Sequence, residues 1–122
     1  MSSAAKAYAR TAQISSSPRD IEAQTLLMAA RKLVEVQQDL KGPGDKRMNA
    51  ALLFNRQLWT IFMSAAESND NPQPIEVRQN ILNIAAFVLQ RTLELQNNPT
   101  VEKIQSLIDI NSNIAAGLAG RG

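Results

Sequence analysis

Residues 45–67 read DKRMNAALLFNRQLWTIFMSAAE, and this stretch decides the fold. Its apolar residues recur three and four positions apart, which predicts an amphipathic helix rather than a strand. Asp45 is a residue type that caps helices, and the following SNDNP at 68–72 is typical of a loop. The apolar arc covers about half of the helix circumference, wider than a coiled-coil seam. Such a helix is either enclosed on several sides or lines a groove for a partner helix.

Three more helices are predicted around this one. The residues Ser-Pro-Arg-Asp at 17–20 combine a cap, a first-turn proline and a favourable acid, and the helix they begin extends to about residue 40. Gly-Pro-Gly at 42–44 ends it. A third helix is predicted over 74–96, and its apolar stripe consists of Val77, Ile81, Leu82, Ile84, Ala85, Val88, Leu89 and Leu95. At 98–99, Asn-Pro repeats the cap-then-proline signal and begins a fourth helix, which extends to about residue 116.

The predicted fold class is all-α, a four-helix bundle-like single domain over residues 17–118. Residues 1–16 are small and polar, and they predict a mobile arm with at most a helical turn. Residues 119–122 form a short tail. With 122 residues and 44% hydrophobic content, the chain is long enough to bury one core, which must be mainly aliphatic because aromatic residues make up 4%.

Composition excludes several kinds of chemistry. The chain has neither Cys nor His, which removes thiolate and imidazole metal sites and the common nucleophile–base pairs. We therefore expect no enzyme activity, no metal, no cofactor and no small-molecule substrate. The net charge is only +2 and the basic residues are scattered, so no direct nucleic-acid binding is expected. No apolar run reaches membrane-spanning length and the N-terminus lacks a signal-peptide pattern, so we expect a cytoplasmic protein without membrane insertion.

Three residues break the helical patterns. Asn55 and Asn111 project to the centres of two apolar stripes, where a buried amide needs a hydrogen-bond partner. They either bond each other or backbone groups and fix the helix register, or one of them contacts a bound segment. Phe87 projects onto a polar face, where it is a solitary exposed aromatic or is covered by the arm, through Tyr8, or by a partner. Arg56, beside Asn55, either pairs with an acid such as Glu22 or faces a partner.

Glu22, Asn55, Arg56 and Asn111 fall within segments that resemble the bacterial flagellar regulator family FlaF. The resemblance is carried by SPRDIEA at 17–23, by ALLFNRQLWTIF at 51–62 and by INSNIAAGL at 110–118, in that order, over about residues 8–118. The patterns SPRxxEA and NRxLWxIF together are fairly specific. The resemblance implies a small, helical, non-enzymatic protein that acts in flagellin production, alongside a second regulator, FlbT.

The resemblance further implies a protein that promotes flagellin synthesis or secretion as a flagellin-binding export chaperone. Flagellin termini form amphipathic helices, and a wide apolar groove on a bundle shields such a helix in the helix-in-groove mode. The alternative is a post-transcriptional regulator that acts through an FlbT-like repressor or flagellin mRNA, and a third possibility is an oligomerising bundle without a client. The expected partner-binding residues are Arg19, Glu22, Asn55, Arg56, Trp59, Phe62 and Phe87. The same residues are alternatively part of the core, and for Trp59 and Phe62 burial is the favoured expectation.

Overall fold

The computed structural model describes residues 2–14 and 18–120, which contain five α-helices and no strand. The all-α class is confirmed. The helices are α1 (Ser3–Ile14), α2 (Pro18–Gln38), α3 (Lys46–Glu67), α4 (Ile75–Asn97) and α5 (Val101–Leu118). The last four begin and end within a few residues of the predicted positions, because proline, glycine and capping residues mark each junction.

The capping predictions have different outcomes. Asp45 caps α3 as predicted, since its carboxylate accepts the backbone N–H of Arg47 at 3.1 Å. The Asn-Pro prediction at 98–99 is wrong: Asn98 ends α4, and Thr100 caps α5 by accepting the N–H of Lys103 at 3.2 Å. A threonine hydroxyl can accept an unpaired backbone N–H at the start of a helix as well as an asparagine amide oxygen can. The cap of α5 is therefore Thr100, two residues after the predicted cap Asn98. The predicted cap Ser17 lies outside the described residues.

The first segment differs from the arm expected over residues 1–16. It contains α1, a helix of 12 residues that packs against α2 and α3. Ala4 and Ala7 are buried in that contact, and Tyr8 packs against the core at partial exposure. Alanine favours helices, but its single methyl contributes little to a hydrophobic pattern, which is why the periodicity does not reveal this helix.

The five helices form one compact domain in which α2 pairs with α5 and α3 pairs with α4. The α2–α5 pair is antiparallel, because the carbonyl of Leu26 faces Asn111 while Gln37, later in α2, bonds Val101 and Gln105. α2 also contacts α3, and α1 lies across both of them. This arrangement encloses α2 and α3 more completely than α4.

The burial of α4 is narrower than its sequence predicts. Only Ala85, Val88, Thr92 and Leu95 are buried on this helix, whereas α3 buries nine residues. Val77, expected in the apolar stripe, is 39% exposed, and Leu82 and Leu89 are only half-buried. Apolar surface is therefore left on α4 outside the core, and it borders α3.

Candidate partner-binding site

A buried polar network lies at the centre of the bundle. The side-chain amide of Asn111 donates to Asn55 Oδ1 at 2.7 Å and to the carbonyl oxygen of Leu26 at 3.4 Å. Its oxygen accepts the indole N–H of Trp59 at 3.0 Å. Both asparagines and the tryptophan are fully buried. One amide thus ties α5 to α2 and α3, which is the register-fixing arrangement rather than a contact with a bound segment.

Three of the residues expected to bind a partner lie inside the protein. Asn55 and Trp59 are fully buried, and Phe62 is 7% exposed. Trp59 and Phe62 contact each other edge to face, with ring centroids 5.4 Å apart. A partner cannot reach these side chains while the bundle is closed. Their contribution is to hold α3 in place, so that the residues on its outer side keep a fixed spacing from α4.

Arg56, the neighbour of Asn55, lies on that outer side. It is exposed and makes no ion pair with any of the described residues, and the cation beside Glu22 is Arg19 instead. Arg56 lines a groove of about 600 Å³ between α3 and α4. The remaining lining residues are Ser2, Gln57, Thr60, Ile61, Leu89, Thr92, Leu93 and Gln96. We call this the α3–α4 groove, and Arg56 is its one charged lining residue among those described.

The α4 side of the groove belongs to a second apolar row on that helix. Leu82, Ala86, Leu89 and Leu93 follow one another at spacings of four, three and four residues, so they share one side of α4. Leu93 is 61% exposed, and the other three are exposed or half-buried. Such a row, with a polar rim and an apolar base, has the spacing with which one helix packs against another.

Sequence reasoning missed most of this groove. Leu82 and Leu89 belonged to the predicted stripe of α4, but Leu93, Ile61 and Thr60 were not singled out. The available signal was the width of the α4 stripe, which contains two parallel rows, one for the core and one beside it. The pattern alone does not say which row faces the interior.

Arg19 and Glu22 lie at the start of α2, away from the α3–α4 groove lining. Burial raises the pKa of the Glu22 carboxyl above its ordinary value, and the charge of Arg19 offsets part of that rise. Burial and the nearby Glu22 together raise the pKa of the Tyr8 hydroxyl. Tyr8 of α1 therefore lies close to Glu22 of α2, and these residues belong to the contact of α1 with the bundle.

Phe87 is 40% exposed and lies on the other side of α4 from the groove row. The guanidinium of Arg91 sits 5.0 Å from its ring centroid, and Arg91 also contacts Glu94 at 3.8 Å. Tyr8 does not cover this ring, because α1 packs on α2 and α3. Phe87 is thus an exposed aromatic with a cation stacked on it, and it is separate from the α3–α4 groove.

A second, smaller groove of about 330 Å³ lies between α2 and α3. We call it the α2–α3 groove. Lys32 sits above the Phe54 ring there, with its amine 5.1 Å from the ring centroid, and Leu53 is 43% exposed. Ser3 lines it as well, and Gln57 lines both grooves.

Within residues 2–14 and 18–120, no three acidic side chains come together in a way that would hold a metal ion. Two basic residues near the loop after α2 are paired, since Lys41 and Arg47 both contact Asp39, at 3.8 Å and 3.6 Å. Over the same described ranges, no helix is both long enough and apolar enough to cross a bilayer.

A protein-family comparison decides what this fold belongs to. The model of the family described as flagellar protein FlaF matches residues 4–118. The chain belongs to the FlaF family. The match covers α1 as well as the four longer helices, and both walls of the α3–α4 groove. No curated protein and no solved structure matches the chain. FlaF membership supports a role connected with the flagellum, in a family that is not known as enzymatic.

Proposed function

We propose that this FlaF protein promotes flagellin production by acting as a flagellin-binding export chaperone, and that it holds an amphipathic flagellin helix in the α3–α4 groove. Family membership supports the flagellar context. The observation that carries the binding mode is the apolar row on α4, which ends on Leu93 at 61% exposure beside an otherwise polar rim. A client helix that covers this row removes apolar surface from water on both molecules.

The test compares binding of purified flagellin to the wild-type protein and to two matched variants. Leu93→Glu places a charge in the groove, whereas Leu27→Glu makes the same change at an exposed position of α2 that lines neither groove. Burial of one leucine contributes roughly 1.5–3 kcal/mol, so Leu93→Glu should weaken binding by about tenfold or more. Leu27→Glu should leave the affinity unchanged. Calorimetric titration with full-length flagellin measures both.

Deletion of either terminal helical region from flagellin identifies the segment that is bound. One deletion should abolish binding and the other should not. If neither full-length flagellin nor either truncated form binds the wild-type protein while an FlbT-like partner does, the chaperone function is rejected and the regulatory alternative replaces it. Equal loss of binding in Leu93→Glu and Leu27→Glu would instead move the site away from the α3–α4 groove.

A further inference from the structure

The N-terminal end of α1 lies between the two grooves. Ser2 lines the α3–α4 groove and Ser3 lines the α2–α3 groove. The backbone N–H of Ala4 donates to the side-chain oxygen of Gln57 at 3.3 Å, and Gln57 is the residue that both grooves share. The start of α1 therefore separates two surfaces that otherwise adjoin across one α3 side chain.

Over residues 3–10, whose side chains are described, the contact of α1 with the bundle consists of two buried alanines and a partly buried tyrosine. Ala4 and Ala7 are its fully buried residues with described side chains, and Tyr8 is half-buried. Two alanine methyl groups remove little apolar area from water, whereas leucine or isoleucine in an incoming helix would remove much more at the same place. A helix of 12 residues is also marginal when isolated in water, so α1 loses conformational freedom when it docks.

The contact of α1 with α2 includes two titratable groups whose pKa values are raised. Tyr8 and Glu22 lie close together across the α1–α2 contact, and burial raises the pKa of both groups. Burial thus disfavours the charged form of the Glu22 carboxyl, although the charge of Arg19 compensates in part.

We propose that α1 is a displaceable occupant of the face formed by α2 and α3, and that docked α1 and a client amphipathic helix exclude each other. The inference rests on the proposed function. When α1 leaves, the α3–α4 and α2–α3 grooves join across Gln57 into one longer surface, and the client helix extends along it. A client helix must then bind this face more tightly than α1 does. This requirement favours helices with bulky apolar residues over weakly apolar ones.

The first test uses two alanine positions on α1. Ala7→Glu places a charge in the buried contact, and Ala9→Glu makes the same change on the exposed side of the same helix. The probe is a synthetic peptide of the flagellin terminal helix that wild-type protein binds. Ala7→Glu should bind it about tenfold more tightly than wild type, because the binding-competent population rises. Ala9→Glu should bind like wild type.

The outcomes separate this inference from the proposed function. Equal affinities for wild type, Ala7→Glu and Ala9→Glu, or weaker binding by Ala7→Glu, overturn the displacement of α1 and leave the chaperone function standing. If none of the three proteins binds any flagellin segment, the proposed function fails and the inference fails with it.

A second measurement needs no substitution. Lys6 and Arg10 are trypsin sites on α1, and Lys103 provides an internal comparison on α5. Saturating flagellin peptide should accelerate cleavage at Lys6 and Arg10 relative to Lys103, because displaced α1 unfolds. Slower cleavage at Lys6 and Arg10 on binding would show that α1 clamps the client, which is the opposite of displacement.

Discussion

At the scale of single residues, the amide of Asn111 connects three helices. It bonds Asn55 and Trp59 of α3 and the backbone of Leu26 in α2. An aliphatic side chain in its place would fill similar space but leave the Trp59 N–H and the Asn55 oxygen without partners in a buried site. The cost of an unpaired buried polar group exceeds the net gain of an ordinary hydrogen bond, so the network specifies register more than it adds stability.

Because an unpaired buried polar group costs more than a hydrogen bond contributes, the two asparagines should differ in how much stability their substitution by leucine removes. Asn111→Leu leaves the Trp59 N–H and the Asn55 oxygen without hydrogen-bond partners, and it should lower the free energy of unfolding by about 2–5 kcal/mol. Asn55→Leu should cost less, because the Asn55 Nδ2 atom has no partner among the described residues and Asn111 keeps its bond to Leu26. Urea titrations followed by circular dichroism measure both. The exposed Asn113→Leu on α5 is the control and should change stability by no more than about 0.5 kcal/mol. A larger loss at Asn55 than at Asn111 contradicts this account of the network.

At the scale of helices, the sequence predicted the helices that bury bulky apolar side chains and missed the helix that buries small ones. The bulky apolar rows of α3 and α5 predicted both the helices and the faces that they bury. Their interruption by Asn55 and Asn111 left several partners open for the two amides, and the structure shows that the two bond each other. α1 escaped prediction because the buried residues among its described side chains are alanines. The groove escaped because α4 carries two apolar rows, and the choice between them depends on where α3 and α5 pack. That choice is a tertiary property, which local periodicity does not contain.

The contact of α1 with α2 predicts a dependence of stability on pH. The folded-state pKa of Glu22 lies above its ordinary value of 4.5, so its contribution to stability is present below that value and declines as pH rises through the folded-state pKa. Glu22→Gln removes the ionisation. The free energy of unfolding of this variant, relative to wild type, should therefore increase from pH 4.5 towards neutrality.

Denaturant titrations at several pH values across that range measure the difference between the two proteins. Glu35→Gln, an exposed substitution on the same helix, serves as the control and should track wild type. A Glu22→Gln curve parallel to wild type at every pH would show that ionisation of this carboxyl does not oppose the docking of α1.

At the scale of the whole molecule, charge and apolar surface are distributed differently. The net charge is +2, and two of the basic residues near the α2–α3 loop, Lys41 and Arg47, share Asp39, which offsets one of their two charges. Exposed large apolar side chains occur on α2, α3, α4 and α5, and Leu93 is the one among them that lines the α3–α4 groove, where Arg56 is the one charged lining residue among those described. A client bound in the α3–α4 groove, as proposed above, would be held by apolar burial, whereas a protein that reads RNA concentrates cationic and aromatic side chains on one face.

The salt dependence of binding therefore distinguishes a flagellin client from an RNA. With one charge in the α3–α4 groove, the flagellin peptide should lose less than about threefold in affinity between about 50 and 500 mM salt. An RNA held by about 6–10 phosphate contacts would lose roughly 10³–10⁵ between 50 and 200 mM. Arg56→Gln should remove most of the small dependence that remains, while Arg31→Gln, on the exposed side of α2, should not. A steep loss of flagellin binding with salt that Arg56→Gln does not reduce would place the contact on another, charged surface of the protein.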